Sequence, residues 1–146
     1  MRVSVVIPTI DEPDELRECF DCLVAQDYDD FDVLVVDSGS GVNQRVVDDY
    51  ADRLDARMLS TPKNGLPRAR NTALAKLDDA DIVAFCDPDA RPVPEWLAAL
   101  AAEYDDGVGA VGGPVLRPGE TLCARDEVGV IRSNGEVVAN FDADDR

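Results

Sequence analysis

A chain of 146 residues, of which 45% are hydrophobic, is long enough to bury the core of one domain, and this composition excludes a disordered tail. The net charge of −17 and the lack of a basic cluster argue against binding to nucleic acid through its phosphates. The apolar run at the start, Val3 to Ile7, is too short for a signal peptide or a membrane span, so we expect a cytoplasmic protein.

The acidic charge has an unusual make-up. The sequence holds 23 Asp and 8 Glu against 12 Arg, 2 Lys and no His, and the acids are spread along its whole length. Self-repulsion of this size destabilises a compact state in dilute buffer and is relieved when salt screens it. Such a composition resembles that of cytoplasmic proteins from salt-accumulating microbes, so we expect a halophilic archaeon as the source. The alternative is an acidic module that binds a cationic partner, but such a module usually carries its charge in one block.

Strands and helices alternate along the chain. Runs rich in β-branched residues predict five strands, at Val3–Ile7, Phe31–Val36, Arg57–Ser60, Asp81–Cys86 and Val108–Val115. Apolar residues at helical spacing predict four helices between them, at about 14–25, 43–52, 65–77 and 94–104. Strands that are apolar without alternation are typical of a parallel sheet buried on both faces. The sequence therefore predicts an α/β fold: a three-layer, mostly parallel sheet with helices on both faces.

The last part of the chain has a different pattern. Asn134-Gly135 lies between two short runs that carry apolar residues, which predicts a C-terminal β-hairpin at about 128–138. We therefore predict a ligand-binding domain over residues 1–115. Residues 116–146 are predicted to be the start of a further region that is incomplete in this chain.

The four cysteines are too few for a disulfide scaffold. Cys19 and Cys22 form a CxxC pair inside a predicted helix, and Cys86 and Cys123 lie far away in sequence. A zinc site needs four ligands at suitable spacing, and the chain has no second pair and no histidine. We interpret the cysteines as packing residues.

Polar segments follow four of the predicted strands. They are Thr9–Glu12, Asp37–Ser40, Lys63–Arg70 and Asp87–Asp89. In parallel α/β sheets, ligands bind outside the carboxyl ends of the strands, so these segments are predicted to meet at one edge. Each has an ordinary structural alternative: a helix entry for the first, a helix-capping turn for the second, a salt bridge for Arg70 and a solvated turn for the last.

The carboxylates of Asp87 and Asp89 are the strongest chemical signal. They follow a buried strand and are separated only by Pro88, so they are predicted to lie close together. Burying such a pair without compensation costs several kcal/mol. A hard divalent cation with oxygen ligands, shared with phosphate oxygens, would relieve the repulsion.

The third segment predicts an anion site. Gly65 precedes a helix with Pro67 in its first turn, so free backbone N–H groups are expected to face outward. Leu66, Ala69, Ala73 and Leu77 mark the inward face of that helix. Arg70 lies at the margin of this stripe, where a bidentate contact with a pyrophosphate is favourable.

With these residues in view, the chain resembles the nucleotide-sugar-dependent glycosyltransferases of family 2, which have the GT-A fold. Four blocks carry the resemblance over residues 3–115, in the order and at the spacing of that family. They are Val5-Val6-Ile7-Pro8-Thr9 with Glu12, Val35-Val36-Asp37-Ser38-Gly39-Ser40, Gly65 with Ala69-Arg70-Asn71, and Asp87-Pro88-Asp89.

The resemblance implies a role for each matching residue. Nucleotide-sugar binding is implied for Pro8, Thr9, Glu12, Asp37, Ser38, Gly65, Arg70 and Asp87. Asp89, with Asp87, would hold Mn²⁺ or Mg²⁺ at the diphosphate. The implied reaction is metal-dependent transfer of a sugar, with inversion, from a nucleoside-diphosphate sugar to a glycan hydroxyl or a polyprenyl phosphate. Such an enzyme is expected in the cytoplasm, and peripheral association with the inner face of the cell membrane is compatible with it.

The sequence departs from the family in two places. Val42 stands where many members carry a further acid, and no acidic motif after Val115 matches the one that supplies the family's catalytic base. Asp126 and Glu127 are the weak candidates for that base. A truncated, non-catalytic nucleotide-sugar binding module is therefore an alternative. A phosphoacceptor receiver domain fits poorly, because no Lys follows residue 76.

Overall fold

The computed structural model describes residues 1–63, 65–77, 79–116, 129–132, 134 and 137–138. The chain forms two compact units, Met1–Leu97 and Ala98–Arg146, which we describe separately. In the described part, no helix is both long and apolar enough to cross a membrane.

The first unit is built on a four-stranded sheet in which all neighbours run parallel. Its strands are β1 (Val3–Thr9), β2 (Phe31–Asp37), β3 (Ala56–Ser60) and β4 (Ile82–Phe85), arranged in the order β3-β2-β1-β4. Three helices connect them: α1 (Pro13–Val24), α2 (Gln44–Asp49) and α3 (Leu66–Leu74). The chain moves outward from β1 to β3 and then returns to the other side of β1. The strand order therefore reverses between β1 and β4, where parallel sheets open a crevice.

One face of the sheet packs against α3. Val6, Leu34 and Val36 form a buried cluster with Ala69 and Ala73 of that helix. The small alanine side chains allow α3 to approach the sheet closely. Each fully buried Val or Leu contributes about 1.5–3 kcal/mol relative to exposure.

The opposite face is equally buried. Val5, Ile7, Val33 and Val35 alternate with the residues above and have no exposed surface. Helix α1 lies on this face, since its Cys19 contacts Cys86, two residues beyond Ala84 of β4. The helix buries Leu16, Cys19, Phe20 and Leu23, which recur at helical spacing, whereas Val24 is exposed. The predicted α/β fold with a parallel sheet is confirmed.

Strand β1 runs two residues further than predicted. The sequence places its end before Pro8, but the strand continues through Pro8 to Thr9. The Val6 carbonyl accepts a bond from Cys86, so alternation turns the Pro8 nitrogen to the same side, where β4 has already ended at Phe85. A proline there removes no ladder hydrogen bond, because nothing on that side requires its N–H.

Two further predictions about packing are wrong. Leu66 was expected on the inward face of α3, but it is 45% exposed, because the helix begins at this residue and its packed turn starts at Ala69. The fifth strand, β5 (Val108–Gly112), does not join the parallel sheet. It pairs antiparallel with β6 (Gly129–Arg132) in the second unit, and its residues are half-buried or exposed rather than covered on both faces.

The second unit also includes β7 (Val137–Val138), which pairs antiparallel with β6, and most of α4 (Trp96–Ala102). Residues 133, 135 and 136, where the hairpin turn is predicted, lie outside the described residues. The C-terminal hairpin with its Asn134-Gly135 turn therefore stays a prediction.

Candidate functional site

The candidate site is the edge at the carboxyl ends of β1, β2 and β4. We call this edge the crevice, because parallel sheets open one where the strand order reverses. The sheet carries Thr9 and Asp37 to this edge as the last residues of β1 and β2, in register with each other. The acid loop, defined as Asp87–Asp89, begins two residues after β4 ends. Parallel strands bring these segments together without any contribution from their own side chains. Their predicted convergence on one edge agrees with this topology.

One side of the crevice is a buried polar network, which we define as Thr9, Asp37 and Asn43. Asp37 is only 1% exposed and Asn43 is fully buried. The Asn43 Nδ2 group donates to Asp37 Oδ1 at 3.0 Å and to Thr9 Oγ1 at 3.4 Å. Asn43 thus links the ends of two neighbouring strands through their side chains.

The Asp37 carboxylate is held at both oxygens. Besides the amide of Asn43, its Oδ2 accepts the backbone N–H of Gly41 at 3.0 Å. Gly41 has a φ of 89°, a left-handed conformation that favours glycine, and this turns its N–H toward the carboxylate. Each oxygen keeps further acceptor capacity, since an ionised carboxylate offers about four lone-pair sites. Asp37 is therefore a rigid acceptor.

Glu12 extends the network toward solvent. The Thr9 hydroxyl donates to Glu12 Oε2 at 3.2 Å, and the Ile10 amide donates to the same oxygen at 3.4 Å. Glu12 precedes α1 but makes no side-chain cap to it. Its carboxylate is therefore bonded to the end of β1 and not to the helix. Ser38 is half-buried, and its amide donates to the Thr9 carbonyl at 3.0 Å.

Asp11 ties the loops after β1 and β2 together. Its Oδ1 accepts both the amide and the hydroxyl of Ser40, each at 2.7 Å. These bonds, with a smaller contribution from the charge of Lys63, hold the pKa of Asp11 below its usual value. A side chain at Gly39 would place its Cβ 2.3 Å from Asp11 Oδ1, so glycine is required for this approach.

The other side of the crevice is exposed and charged. Arg70 of α3 donates to Asp87 Oδ1 at 3.3 Å, and its guanidinium carbon lies 5.3 Å from the centre of the Phe85 ring. The Asp87 side chain is 56% exposed, and Asp89 is exposed as well. Arg70 Nε is buried and has no hydrogen-bond partner among the described residues. The structural alternative for Arg70, a salt bridge, is thus present, but it is long and leaves a donor unused.

Arg91 anchors the acid loop to α1. Its Nη1 donates to the carbonyls of Pro88 and Ala90 at 3.2 and 3.0 Å. Its Nη2 bonds the carboxylates of Glu15 and Glu18, both at 2.6 Å, and Nε bonds Glu18 at 3.0 Å. All the nitrogens of the guanidinium make hydrogen bonds, so Arg91 holds the backbone between Asp87 and Asp89 against α1.

The start of α3 offers fewer free amides than predicted. Gly65 has a φ of 85°, but the amide of Arg68 donates back to the Gly65 carbonyl at 3.2 Å, and Pro67 has no amide proton. Part of the predicted anion site at this helix start is therefore already used. Its role in binding an anion stays a prediction.

The described residues contain no cluster of three or more His, Cys, Asp or Glu that could hold a metal by itself. Two exposed carboxylates nevertheless fit the way Mg²⁺ is commonly bound, by one or two carboxylates together with phosphate oxygens of the substrate. The donor set of Asp87 and Asp89 is chemically suitable for Mg²⁺ or Mn²⁺ in that mode. Asp89 is the freer of the two, since Arg70 occupies an oxygen of Asp87.

The cysteines of the first unit pack as predicted. Cys19, Cys22 and Cys86 are free thiols, and the Cys19 and Cys86 sulfurs lie 3.8 Å apart in the core. The hydrogen bond with Cys86 and burial both raise the pKa of Cys19. The burial of Cys19 and Cys86 agrees with the packing interpretation, whereas Cys22 is half-buried. Cys123 lies outside the described residues.

Sequence reasoning missed Asn43 and Arg91 and could not place the catalytic base. Asn43 was predicted to begin a helix, where asparagine is a common cap, yet it makes no side-chain cap. A polar residue six positions after Asp37 was the only signal available for it. Asp126 and Glu127, the candidates for the base, lie outside the described residues.

The chain matches a known protein family and several known proteins. Residues 4–122 match the Glycosyl transferase family 2 family. Among curated proteins, the glucosyl-dolichyl phosphate glucuronosyltransferase of Haloferax volcanii is 34% identical over 122 residues, which cover 80% of this chain and 39% of that protein. Glycosyltransferase AglE of the same organism is 33% identical over 120 residues, which cover 77% of this chain and 39% of that protein. The chain thus spans about two fifths of the length of these relatives.

Solved structures share the fold. The mannosyltransferase PcManGT from Pyrobaculum calidifontis, in complex with GDP-Man and Mn²⁺, is 32% identical with a TM-score of 0.71, over 80% of this chain and 36% of that chain. TarS 1-349 of Staphylococcus aureus, in complex with UDP-GlcNAc, is 29% identical with a TM-score of 0.64, over 70% of this chain and 30% of that chain. On the family match, the identities and the shared α/β architecture, this chain is a member of glycosyl transferase family 2.

Proposed function

We propose that this chain binds a nucleoside-diphosphate sugar and a divalent metal, as the donor side of an inverting glycosyltransferase. The observation that carries the proposal is the pairing of two unlike surfaces at one crevice. A buried network of fixed acceptors lies at the ends of β1 and β2, and an exposed acid loop with Arg70 lies at the end of β4.

The nucleoside would occupy the network side. Asp37 and Thr9 present acceptor oxygens suited to the N–H and O–H groups of a base and a ribose, with Glu12 at the solvent margin. Pro8 and Ser38 would complete the wall of this pocket. The residues described at this side of the crevice include no basic cluster, which agrees with recognition of a neutral nucleoside rather than of a phosphate.

The diphosphate would lie toward α3 and the acid loop. Arg70 has a buried Nε without a partner among the described residues and a weak bond to Asp87, so it can turn toward phosphate oxygens at little cost. Gly65 would allow the backbone to approach the same group. Asp89, with Asp87, would hold Mn²⁺ or Mg²⁺, and such a cation would neutralise charge on the leaving diphosphate.

The proposed reaction is a single displacement. The acceptor oxygen forms a bond to the anomeric carbon as the bond from that carbon to the diphosphate breaks. A hydroxyl acceptor passes its proton to a general base, whereas a phosphate acceptor attacks through an oxygen that is already ionised. Arg70 stabilises the departing diphosphate. Asp126 and Glu127 are the candidates for the base.

The acceptor is proposed to be a glycan hydroxyl or a polyprenyl phosphate. One relative is a glucosyl-dolichyl phosphate glucuronosyltransferase, which supports an acceptor that is linked to a lipid. A halophilic source and action in the cytoplasm, at the inner face of the membrane, complete the proposal. The division into a donor domain at 1–115 and a further region at 116–146 also stays a proposal.

A second candidate is a nucleotide-sugar binding module without transferase activity. This candidate is favoured because the site residues in the described part of the chain would all contact the nucleotide sugar, and none of them has a proposed role toward the acceptor. A transfer assay separates the two functions. The chain is incubated in about 2 M KCl, so that its surface charge is screened, with UDP- and GDP-sugars, Mn²⁺ and polyprenyl-phosphate or glycan acceptors.

The enzyme proposal predicts acceptor-dependent release of nucleoside diphosphate together with a glycosylated product. Binding of donor without product supports the module instead. Absence of nucleotide-sugar binding would overturn both. An Asp126→Asn variant with a Glu127→Gln variant then tests the base, since loss of general-base help typically lowers the rate by about 10²–10⁴.

A further inference from the structure

Asn43 is the most completely buried polar residue at the crevice, and its side chain bonds two strand ends rather than its own helix. It stands immediately before α2 but makes no side-chain cap to that helix. Its amide reaches instead to Thr9 at the end of β1 and to Asp37 at the end of β2. The residue before α2 thus places its side-chain amide next to the ends of β1 and β2.

The chemistry of the partners fixes the direction of every bond in this group. Asp37 as a carboxylate accepts only, so the Asn43 atom beside it must be the donor nitrogen. The second N–H of the same nitrogen points to Thr9 Oγ1 and occupies one of its lone pairs. The Thr9 proton is then free to point at Glu12 Oε2, 3.2 Å away. Both Thr9 and Asp37 keep acceptor capacity beyond these bonds.

The remaining atom of the amide shows that the arrangement carries a penalty. Asn43 Oδ1 is buried and has no hydrogen-bond partner among the described residues. A buried acceptor without a donor costs stability, whereas the two N–H groups of the same amide satisfy Asp37 and Thr9. The asparagine is therefore explained by its two N–H groups, which hold the side chains of Thr9 and Asp37 in place.

We propose that Asn43 is a positioning residue for nucleoside recognition. It aligns the Asp37 carboxylate, sets the direction of the Thr9 hydroxyl, and so presents a fixed pair of acceptors to N–H and O–H donors of the nucleoside. This inference rests on the proposed function, because it assigns Asn43 a task within the same nucleotide site. It adds a residue that touches none of the ligand and acts through Thr9 and Asp37.

The test uses Asn43→Asp, which keeps the shape and replaces the donor nitrogen by an oxygen. The ionisable groups around this position are Asp37 in contact, Glu12 through Thr9, and Asp11 on the neighbouring loop, whose charge interacts with Lys63. The acids would repel the introduced carboxylate. Two facing carboxyl groups share a proton when the pH is lowered, and the shared proton restores a donor toward Asp37.

Affinity for UDP-GlcNAc and GDP-Man is measured by calorimetry with Mn²⁺ in about 2 M KCl, between about pH 5.5 and 8, a range in which the diphosphate diester does not titrate. For Asn43→Asp we expect at least about 10-fold weaker binding at pH 8, which corresponds to the loss of one charge-assisted hydrogen bond. Binding should then recover as the pH falls. Asn43→Ser, which cannot reach both partners, should bind weakly at every pH. Gln44→Glu, an exposed neighbour, is the control for added charge.

Each outcome decides the inference. Recovery of Asn43→Asp at low pH, absent from the wild type and from Gln44→Glu, supports positioning. Variants that fold and bind like the wild type overturn it, as does weakening of Asn43→Asp that is equal at every pH. Failure of both Asn43 variants to fold would assign the residue to stability. A wild-type chain that binds neither nucleotide sugar overturns the proposed function itself.

Discussion

The two sides of the crevice are built in opposite ways. On the buried side, Thr9, Asp37 and Asn43 are joined by hydrogen bonds within the core of the sheet. On the exposed side, Arg70 and Asp87 form one long ion pair and Asp89 projects into solvent. The buried side is already ordered before a ligand binds, whereas the exposed side carries carboxylate charge that is not fully neutralised.

This difference indicates a division of labour. A buried network tolerates no unmatched donor, so it can select the polar pattern of a nucleoside. Exposed carboxylates carry little desolvation cost in the free protein, so they can remain charged until a cation and a diphosphate neutralise them. Arg91 keeps the acid loop ordered although its carboxylates are exposed, because it bonds the loop backbone and leaves both aspartate side chains in solvent.

The largest expected effect is on the exposed side. Replacing Asp89 by Asn removes a proposed metal ligand without changing the shape of the loop. Loss of residues that only support a metal ligand costs 10–100-fold, so we expect at least about 100-fold weaker binding of GDP or UDP in Mn²⁺. Calorimetry measures the change, with Asp29→Asn, at the opposite end of the sheet, as the control. Equal affinity of Asp89→Asn and wild type would remove the metal role.

Salt is expected to act on stability through the surface as a whole. The net charge of −17 opposes folding in dilute buffer, and near 1 M salt the Debye length falls to about 3 Å. The melting temperature should therefore rise by about 10 °C or more from low salt to molar KCl, as expected for several kcal/mol in a chain of this size. Circular dichroism over a series of KCl concentrations follows it. A flat profile would argue against a halophilic source and favour a cationic partner.

A moderate effect is expected at Arg91, which attaches the acid loop to α1. Arg91→Lys keeps the charge but cannot bond two backbone carbonyls and two carboxylates at once. We expect about 10-fold weaker metal-dependent nucleotide binding, and a stability loss of only about 1 kcal/mol, because the ion pairs are partly exposed. Arg45→Lys on α2 is the matched control. A stability loss without any change in affinity would make Arg91 a purely structural residue.

The smallest effect concerns Asp11, which links the loops of the buried side. Its pKa is lowered by the amide and hydroxyl of Ser40, so its contribution to stability is present above its unfolded value of 3.8 and is lost as the pH falls through the lower folded value. Asp11→Asn should therefore destabilise the protein at neutral pH and lose less stability below about pH 4 than the wild type. Urea unfolding at several pH values tests this, with Asp52→Asn for comparison. Parallel pH profiles for wild type and Asp11→Asn would contradict it.

The sequence predicts well what the strand pattern alone determines. Thr9, Asp37 and Asp87 follow apolar runs, and parallel pairing brings such positions to one edge whatever the helices do. Asn43 and Arg91 could not be found in this way. Arg91 bonds partners 73 and 76 residues away, and Asn43 is recognisable only once the tertiary fold buries it.

The errors have similar causes. The residue pattern predicts that β5 is a strand, but it does not show which strand pairs with it. The prediction that β5 joins the parallel sheet was therefore wrong, since β5 pairs antiparallel with β6. The stop at Pro8 followed the general rule that proline ends a strand. That rule fails here because the neighbouring strand ends first.

The most direct test of the two-sided account compares a nucleoside with its diphosphate. Guanosine and uridine can reach only the buried side, whereas GDP and UDP span both. Each is titrated into the chain with Mn²⁺ and with EDTA, and the dissociation constants are compared. The account predicts that Mn²⁺ strengthens binding of the diphosphate by about 100-fold, as for loss of Asp89, and leaves binding of the nucleoside unchanged. Diphosphate binding that is insensitive to EDTA, or an equal effect of Mn²⁺ on both ligands, would contradict it.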